Sequence, residues 1–362
     1  MTSGQLKGTL LEYLVRRLLS HCGFTSVRPD GHYIFAQAGA GLFFINGKGA
    51  AHDADVLMEP PIQMPFSYPA RLLFECKAYD TTVGLGVIRN ALGLRYDIND
   101  FEIITEESIQ QRQNNRRANY AISNRKRYNY QVGVASVEKF SKAAFEFAAN
   151  NKIPLISLRW LLSDRTCDMF SNIDEEYLSS IPKRLRDLLY EFLKDKGKNT
   201  WNDEKYLDVI RFIEADAVVG EIIRLFNISI KRSYVGLIET GDLIFLFANQ
   251  TDSFELLNER LSFRGLKAQI HYTRDNPNVW ELELIDFNRT TSNDRNPQFK
   301  FYVPDGIMRQ WRDFNLDKDV ALDLKAEFFS RIFIFRGDRG PNELPFFVVN
   351  IDSQWLNNLR EQ

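Results

Sequence analysis

Three charged side chains stand at the ends of two apolar runs. The stretch AAHDADVLMEPPIQMPFSYPARLLFECKAYD covers residues 50–80. Asp55 opens the run Val56-Leu57-Met58, and Glu75 and Lys77 close the run Leu72-Leu73-Phe74. Between them Pro60, Pro61, Pro65 and Pro69 rule out a helix, because each lacks an N–H and fixes φ. The stretch therefore reads as two strands joined by a loop. Side chains alternate across a strand, so Glu75 and Lys77, two positions apart, share a face. A strand seldom carries a carboxylate and an ammonium out of its buried part unless the two act together.

The chemistry follows from the residue types. Asp55 and Glu75, on neighbouring strand ends, make a hard oxygen site suited to Mg²⁺ or Mn²⁺. The backbone carbonyl of Cys76 offers a further oxygen. Lys77 beside the ion would hold or deprotonate a water that attacks phosphorus, and ion and lysine together would offset the charge growing on the phosphate. Asp53, in Asp53-Ala54-Asp55, leaves the choice of carboxylate open. A bare Glu-x-Lys arises by chance about once in a chain of this size at ordinary composition. Its position at the end of an apolar strand, after a strand led by Asp, is what gives it weight.

Asp55, a hairpin of about twenty positions, and Glu75-Cys76-Lys77 together resemble the signature of the PD-(D/E)XK nucleases, with the Mrr-like restriction branch the nearest variant. The resemblance spans residues 4–163. Gly8 to Val15, closing at Gly23-Phe24, looks like that family's first helix with its acidic residue, here Glu12; Phe140 to Leu162 looks like its late helix–strand unit. One departure is that no proline precedes the aspartate. The resemblance favours Asp55 over Asp53, since the apolar strand begins directly after it. It implies a restriction-endonuclease-like α/β core and Mg²⁺- or Mn²⁺-dependent cleavage of DNA. Asp55, Glu75 and Cys76 would bind metal, Lys77 would position the water, and Glu12 would assist through a second metal or its waters. It further implies restriction or phage defence and a homodimer or higher oligomer. From its neighbours Leu11, Leu14, Val15 and Leu18 alone, Glu12 reads equally as a solvated helix position.

The elements that must position these residues are legible around them. Leu6, Leu10, Leu14 and Leu18 mark a helix over 5–22, ended by Gly23. Tyr33 to Phe35 and Leu42 to Ile45 read as strands, with turns at Gly39, Gly41, Gly47 and Gly49. A helix over 81–96, a strand over 132–136, a helix over 139–150 and a strand over 154–158 follow, and such crossovers imply parallel neighbours. Residues 175–227 predict two helices separated by a turn, Lys194-Asp195-Lys196-Gly197-Lys198-Asn199. From Ser229 onward strands dominate and predict a sandwich or partly closed barrel, whose aromatic residues read as core more than as base-stacking platforms. The fold class is α+β: a nuclease-like domain over 1–165, a helical connector over 166–227 and a β-rich recognition or assembly domain over 228–362.

The chain has 362 residues, ample for two domains and a large core. Its composition, 44% hydrophobic and 26% charged, is that of a water-soluble globular protein, and the absence of a long apolar run or signal-peptide pattern points to the cytoplasm. Three widely spaced cysteines exclude a disulfide framework, and four histidines without cysteine partners at zinc spacing exclude a structural zinc. The β-rich part would recognise DNA, oligomerise, or dock a partner such as a translocating ATPase. An alternative to the endonuclease is a nuclease-like binding or assembly subunit, active only with such a partner. RNA is an alternative substrate, since a metal–lysine site does not sense a 2′-hydroxyl.

With a net charge of −2, attraction for a polyanion must be local. Ser108 to Val137 contains no acidic residue but holds Arg112, Arg116, Arg117, Arg125, Lys126 and Arg127, interleaved with Gln and Asn. Arginines grip phosphates, and amides reach base edges or sugars. Replacing Arg116, Arg117 and Arg125 by Ala is expected to weaken DNA binding alike for all sequences and to flatten the dependence of affinity on salt. An unchanged salt slope in a binding titration would assign the segment to a protein contact instead.

Overall fold

The computed structural model describes residues 1–27, 29, 34–36, 43–63, 67–101, 110, 128–194, 204–239, 241–249, 266–273, 276–285, 296–335 and 346–361. The basic residues Arg112, Arg116, Arg117, Arg125, Lys126 and Arg127 lie outside them, as do Gly39 and Gly41.

Helix α1 (Ser3–His21) starts in a capping box: Thr2 Oγ1 accepts from the Gln5 amide, and the Gln5 side chain accepts from the Thr2 amide. It ends at Gly23, whose φ of 88° is available to glycine at little steric cost. There the Phe24 amide donates to the Leu19 carbonyl and the Gly23 amide to that of Ser20, the paired bonds of a Schellman stop. Leu6, Leu10, Leu11, Leu14, Val15, Leu18 and Leu19 are all fully buried, more than one stripe can hold. A helix apolar nearly all round must be covered on every side. A sheet covers one side of α1 and helices of the connector cover another.

That sheet has five strands in the order β1 (Thr25–Ser26), β5 (Val56–Glu59), β6 (Ala70–Lys77), β7 (Asn129–Ser136), β8 (Leu155–Ser157). A separate three-stranded sheet holds β2 (Ile34–Ala36), β3 (Phe43–Asn46) and β4 (Ala51–Asp53), the last not foreseen from the sequence. Strands β5 and β6 are antiparallel, while β6–β7 and β7–β8 are parallel. Helices α2 (Leu85–Asn99) and α3 (Lys142–Asn150) lie in the two crossovers, as the α/β pattern predicted. Strand β6 is buried on both faces. Leu72, Phe74 and Cys76 pack in the core with α1, while Leu73 packs with Ile88 and Ala91 of α2.

The connector is more broken than its apolar pattern suggested. Helices α4 (Asp164–Asp168), α5 (Glu175–Ser180), α6 (Lys183–Lys194), α7 (Leu207–Ala215) and α8 (Val219–Ile230) form it, the last four in place of the two expected over 175–227. Pro182 separates α5 from α6, and the Asp216 carboxylate, accepting from the Val218 and Gly220 amides, sets the turn between α7 and α8.

The last part is mixed rather than purely β. Seven strands, β9 (Ser233–Ile238), β10 (Leu243–Ala248), β11 (Leu266–Thr273), β12 (Asn276–Ile285), β13 (Gln298–Tyr302), β14 (Arg331–Phe335) and β15 (Phe346–Ile351), form a closed barrel. Closure removes the edges that a sandwich would leave. Trp280, Phe299, Phe301 and Phe329 are fully buried in its core, so these aromatics pack rather than stack on bases. Helices α9 (Asp305–Asp313), α10 (Lys318–Phe328) and α11 (Ser353–Arg360) were not anticipated. Asp317 and Asp352 cap the second and third of these, each side chain accepting from two backbone amides. Among the described residues no helix is long and apolar enough to cross a membrane.

Close approach in the central sheet is set by Gly133, which faces Phe74 across the β6–β7 ladder. A Cβ there would lie 2.5 Å from the Phe74 ring and 2.7 Å from the Pro154 carbonyl oxygen. Gly133→Ala is expected to cost about 1–3 kcal/mol of stability through overpacking, read as a lower denaturant midpoint at unchanged slope.

Candidate functional site

The carboxylates and lysines meet where β6 outruns β5. The antiparallel ladder pairs Val56 with Phe74 and ends there, so Glu75, Cys76 and Lys77 continue past the first residue of β5. Even-numbered residues of β6 aim their backbone groups toward β5, and the Cys76 amide, with no β5 partner, donates instead to Asp55 Oδ2 at 2.8 Å. The Cys76 carbonyl lies on that same edge. Asp55 is thus held against β6 by the first amide that the shorter strand leaves behind.

Glu75 and Lys77 share a face as their spacing requires, with Lys77 Nζ donating to Glu75 Oε2 at 3.0 Å; both side chains are roughly one quarter exposed, 22% and 27%. Burial alone would lower the Lys77 pKa, but the charge and hydrogen bond of Glu75, with Asp55 and Tyr79, outweigh it and leave it raised. Lys77 is therefore an ammonium in the metal-free protein. Asp55 shows the opposite strain. Burial first, then the charges of Glu12 and Glu75, push its pKa up to about 7, against the Cys76 amide and Lys77, which lower it. The Cys76 thiol is buried and its pKa well raised, so its sulfur stays protonated and only its backbone oxygen is a hard donor.

Glu12 is buried, not solvated. Its partner was invisible in the sequence: Lys194 Nζ sits 3.0 Å from Glu12 Oε1 and 3.0 Å from Oε2. Lys194 is the last residue of α6 and is buried, whereas the sequence reading put it in the turn after that helix. Arg16, one helical turn beyond Glu12 on α1, donates to the Leu193 carbonyl at 2.8 Å and so fastens the end of α6 in place. The one available signal was Glu12 and Arg16, four apart in an otherwise apolar stripe, which demands buried partners from elsewhere. Asp53 lies on β4, and its field, with the nearer one of Glu12, helps to raise the Lys194 pKa.

These side chains have the oxygen chemistry that a hard divalent cation takes. Asp55 bears a charge that burial and like-charged neighbours oppose, and a bound cation would relieve it. Glu12 Oε2 is buried and accepts no well-aligned hydrogen bond, although the Lys194 ammonium stands beside it. Among the described residues, no group of three or more His, Cys, Asp or Glu side chains is drawn together closely enough to hold an ion as it stands. An open groove of about 690 Å³ along α6 and α7, lined by residues such as Lys183, Asp187, Glu191 and Asp208, shares no residue with this cluster.

The flanks of the basic segment enter at the other end of the sheet. Asn99, at the end of α2, bonds both the amide and the carbonyl of Tyr130, and Arg71 lies over the Tyr128 ring with its guanidinium carbon 3.3 Å from the centroid. In the parallel ladder Asn129 is level with Ala70 and Ser136 with Lys77. Seven steps of about 3.3 Å separate those levels, roughly 23 Å.

No family model matches the chain, and no curated protein matches it. One solved structure to which it is similar is the crystal structure of a protein of unknown function, AF1548, at 17% identity, covering 61% of this chain and 99% of that one with a TM-score of 0.29. A likeness that low carries no argument about fold or function.

The Asp55 shift has a consequence for stability. In the unfolded chain the carboxyl ionises near 3.8 and in the folded, metal-free protein near 7. Between these values the folded state holds the extra proton, so stability falls as pH rises through the window. Asp55→Asn, in EDTA, is expected to raise the thermal midpoint at pH 8 by roughly 2–4 °C over the parent, with the gain vanishing near pH 4. A pH-independent difference in melting curves would refute the assignment.

Proposed function

We propose that this chain is a Mg²⁺- or Mn²⁺-dependent endonuclease that hydrolyses DNA phosphodiesters on a PD-(D/E)XK-like core. The observation that carries the reading is the charge arrangement at the end of β6. Asp55 is fixed to the Cys76 amide, and the Glu75–Lys77 pair sits beside it at a sheet end that β5 leaves uncovered.

Asp55, Glu75 and the Cys76 carbonyl would hold the ion, which supplies Lewis acidity to a phosphoryl oxygen and to the water beside it. The chain's own residues do the rest. Glu75 and Asp55 keep Lys77 charged before substrate arrives, so its ammonium is ready to meet a phosphate anion. With their charge offset by a bound cation the carboxylates would hold that proton less firmly, and Lys77 Nζ would orient the attacking water or, having lost its proton to solvent, accept one from it. The Cys76 amide keeps Asp55 from swinging away, which fixes the distance between the carboxylates and the lysine. Under this reading the barrel is the part left to recognise DNA, to pair two copies, or to dock an ATPase.

The direct test incubates purified protein with plasmid, linear DNA and RNA in Mg²⁺, Mn²⁺ or EDTA. Metal-dependent cleavage of DNA supports the reading; cleavage of RNA alone changes its substrate, and none in any lane overturns it for the isolated chain. Lys77→Ala is expected to lower the cleavage rate by about 10² or more while leaving metal and DNA affinity nearly unchanged. Lys77→Arg should not restore the rate, because a guanidinium does not give up its proton. Cleavage by Lys77→Ala at the parental rate would place the chemistry elsewhere.

A further inference from the structure

The Glu12–Lys194 pair asks for an explanation that neither packing nor the proposed chemistry supplies. Two charged side chains, 5% and 8% exposed, are held in the middle of an apolar core. Burying such a pair costs several kcal/mol per ion before their attraction returns anything, and an apolar pair of similar volume would serve stability as well. The fold nevertheless fixes it from both sides. Arg16 ties the preceding carbonyl, Leu193, and the Tyr13 and Phe192 rings pack 5.9 Å apart alongside. Lys194 therefore reaches Glu12 from a docked helix end.

Glu12 also lies on the helix that covers the site: α1 packs on both β5, which Asp55 leads, and β6, and Cys76 shares the core around it. The Lys194 ammonium stands 3.0 Å from both Glu12 oxygens. A divalent ion using Glu12 as a ligand would need those same oxygens at about 2.1 Å, and it would meet a fixed positive charge there.

We propose that Lys194 is a built-in second cation: its ammonium takes the place at Glu12 that a second divalent ion would need, so the site holds one ion, between Asp55 and Glu75, and the connector helix completes it. This rests on the metal-site reading of Asp55 and Glu75, and it replaces the role of Glu12 as a ligand to a second metal. Lys194 is then a positioning residue. It occupies both Glu12 oxygens, and it makes the arrangement of α6 on α1 part of what sets the number of ions the site holds.

The test counts ions in the full-length chain by Mn²⁺ titration, with calorimetry and the electron paramagnetic resonance of free Mn²⁺, and needs no turnover. The parent is expected to bind one Mn²⁺ per chain, and Lys194→Met, which frees Glu12, to bind two. Because Lys194→Met leaves a buried carboxylate unpaired and can fail to fold, a second variant carries the argument independently. Glu12→Gln with Lys194→Met removes one charge of each sign, and it is expected to bind one Mn²⁺ with an affinity within about threefold of the parent. Two ions in the parent, one ion in folded Lys194→Met, or a loss beyond about tenfold in the double variant would overturn the proposal. No Mn²⁺ bound by the parent would instead overturn the metal reading beneath it, whereas the other failures leave that reading standing.

Discussion

The Cys76 amide is the group on which the candidate site depends. It exists because two adjacent strands differ in length. A buried backbone N–H without a partner costs about as much as a lost hydrogen bond, so the last turn of sequence before β5 has to supply an acceptor. Asp55 does so at 2.8 Å, and in doing so brings a carboxylate to the level of Glu75. A strand of equal length would have closed the ladder and pushed any acid at position 55 outward. What places the two acids together is therefore a backbone deficit, not an attraction between them.

Bringing acids together is unfavourable, and the surroundings show how the fold meets that cost. Glu12 and Glu75 each carry a lysine at 3.0 Å, whereas Asp55 has one backbone amide and an ionisation displaced to about 7. The two lysines come from different layers, Lys77 from the central strand and Lys194 from the connector. The cluster therefore cannot be assembled from residues 1–165 alone. Near neutrality Asp55 is close to half protonated, so a cation binding there would have to displace its proton.

How much of this was legible follows from which interactions are local. The α1, β6, α2, β7, α3 and β8 positions emerge within a few residues because each has its own apolar period and its own stop, such as Gly23 after α1. The Glu75–Lys77 pair was readable for the same reason, since an offset of two on a strand fixes a shared face. Lys194 was not. Its neighbours Asp195, Lys196, Gly197 and Lys198 have the composition of an exposed turn, and only the docking of α6 on α1 buries it. Nor were α9, α10 and α11, short helices among strands whose caps, Asp317 and Asp352, resemble ordinary turn residues. Barrel closure was half legible, because strand number shows in sequence while the pairing of β9 with β14 joins residues about a hundred positions apart.

The same ladder register that explains the site also fixes where β7 begins. In a parallel pair a crossover must return to the start of the next strand. Asn99 clamps the end of α2 to Tyr130, and Arg71, itself paired with Glu59 and stacked on Tyr128, holds the entry of β7 level with the foot of β6. The entry of β7 and the Asp55–Glu75–Lys77 cluster thereby stand at opposite ends of one strand pair, about 23 Å apart at 3.3 Å per residue. Separations beyond about 10 Å are screened in salt, so the Arg71–Glu59 pair at the foot of the sheet leaves the charge balance among Asp55, Glu75 and Lys77 untouched.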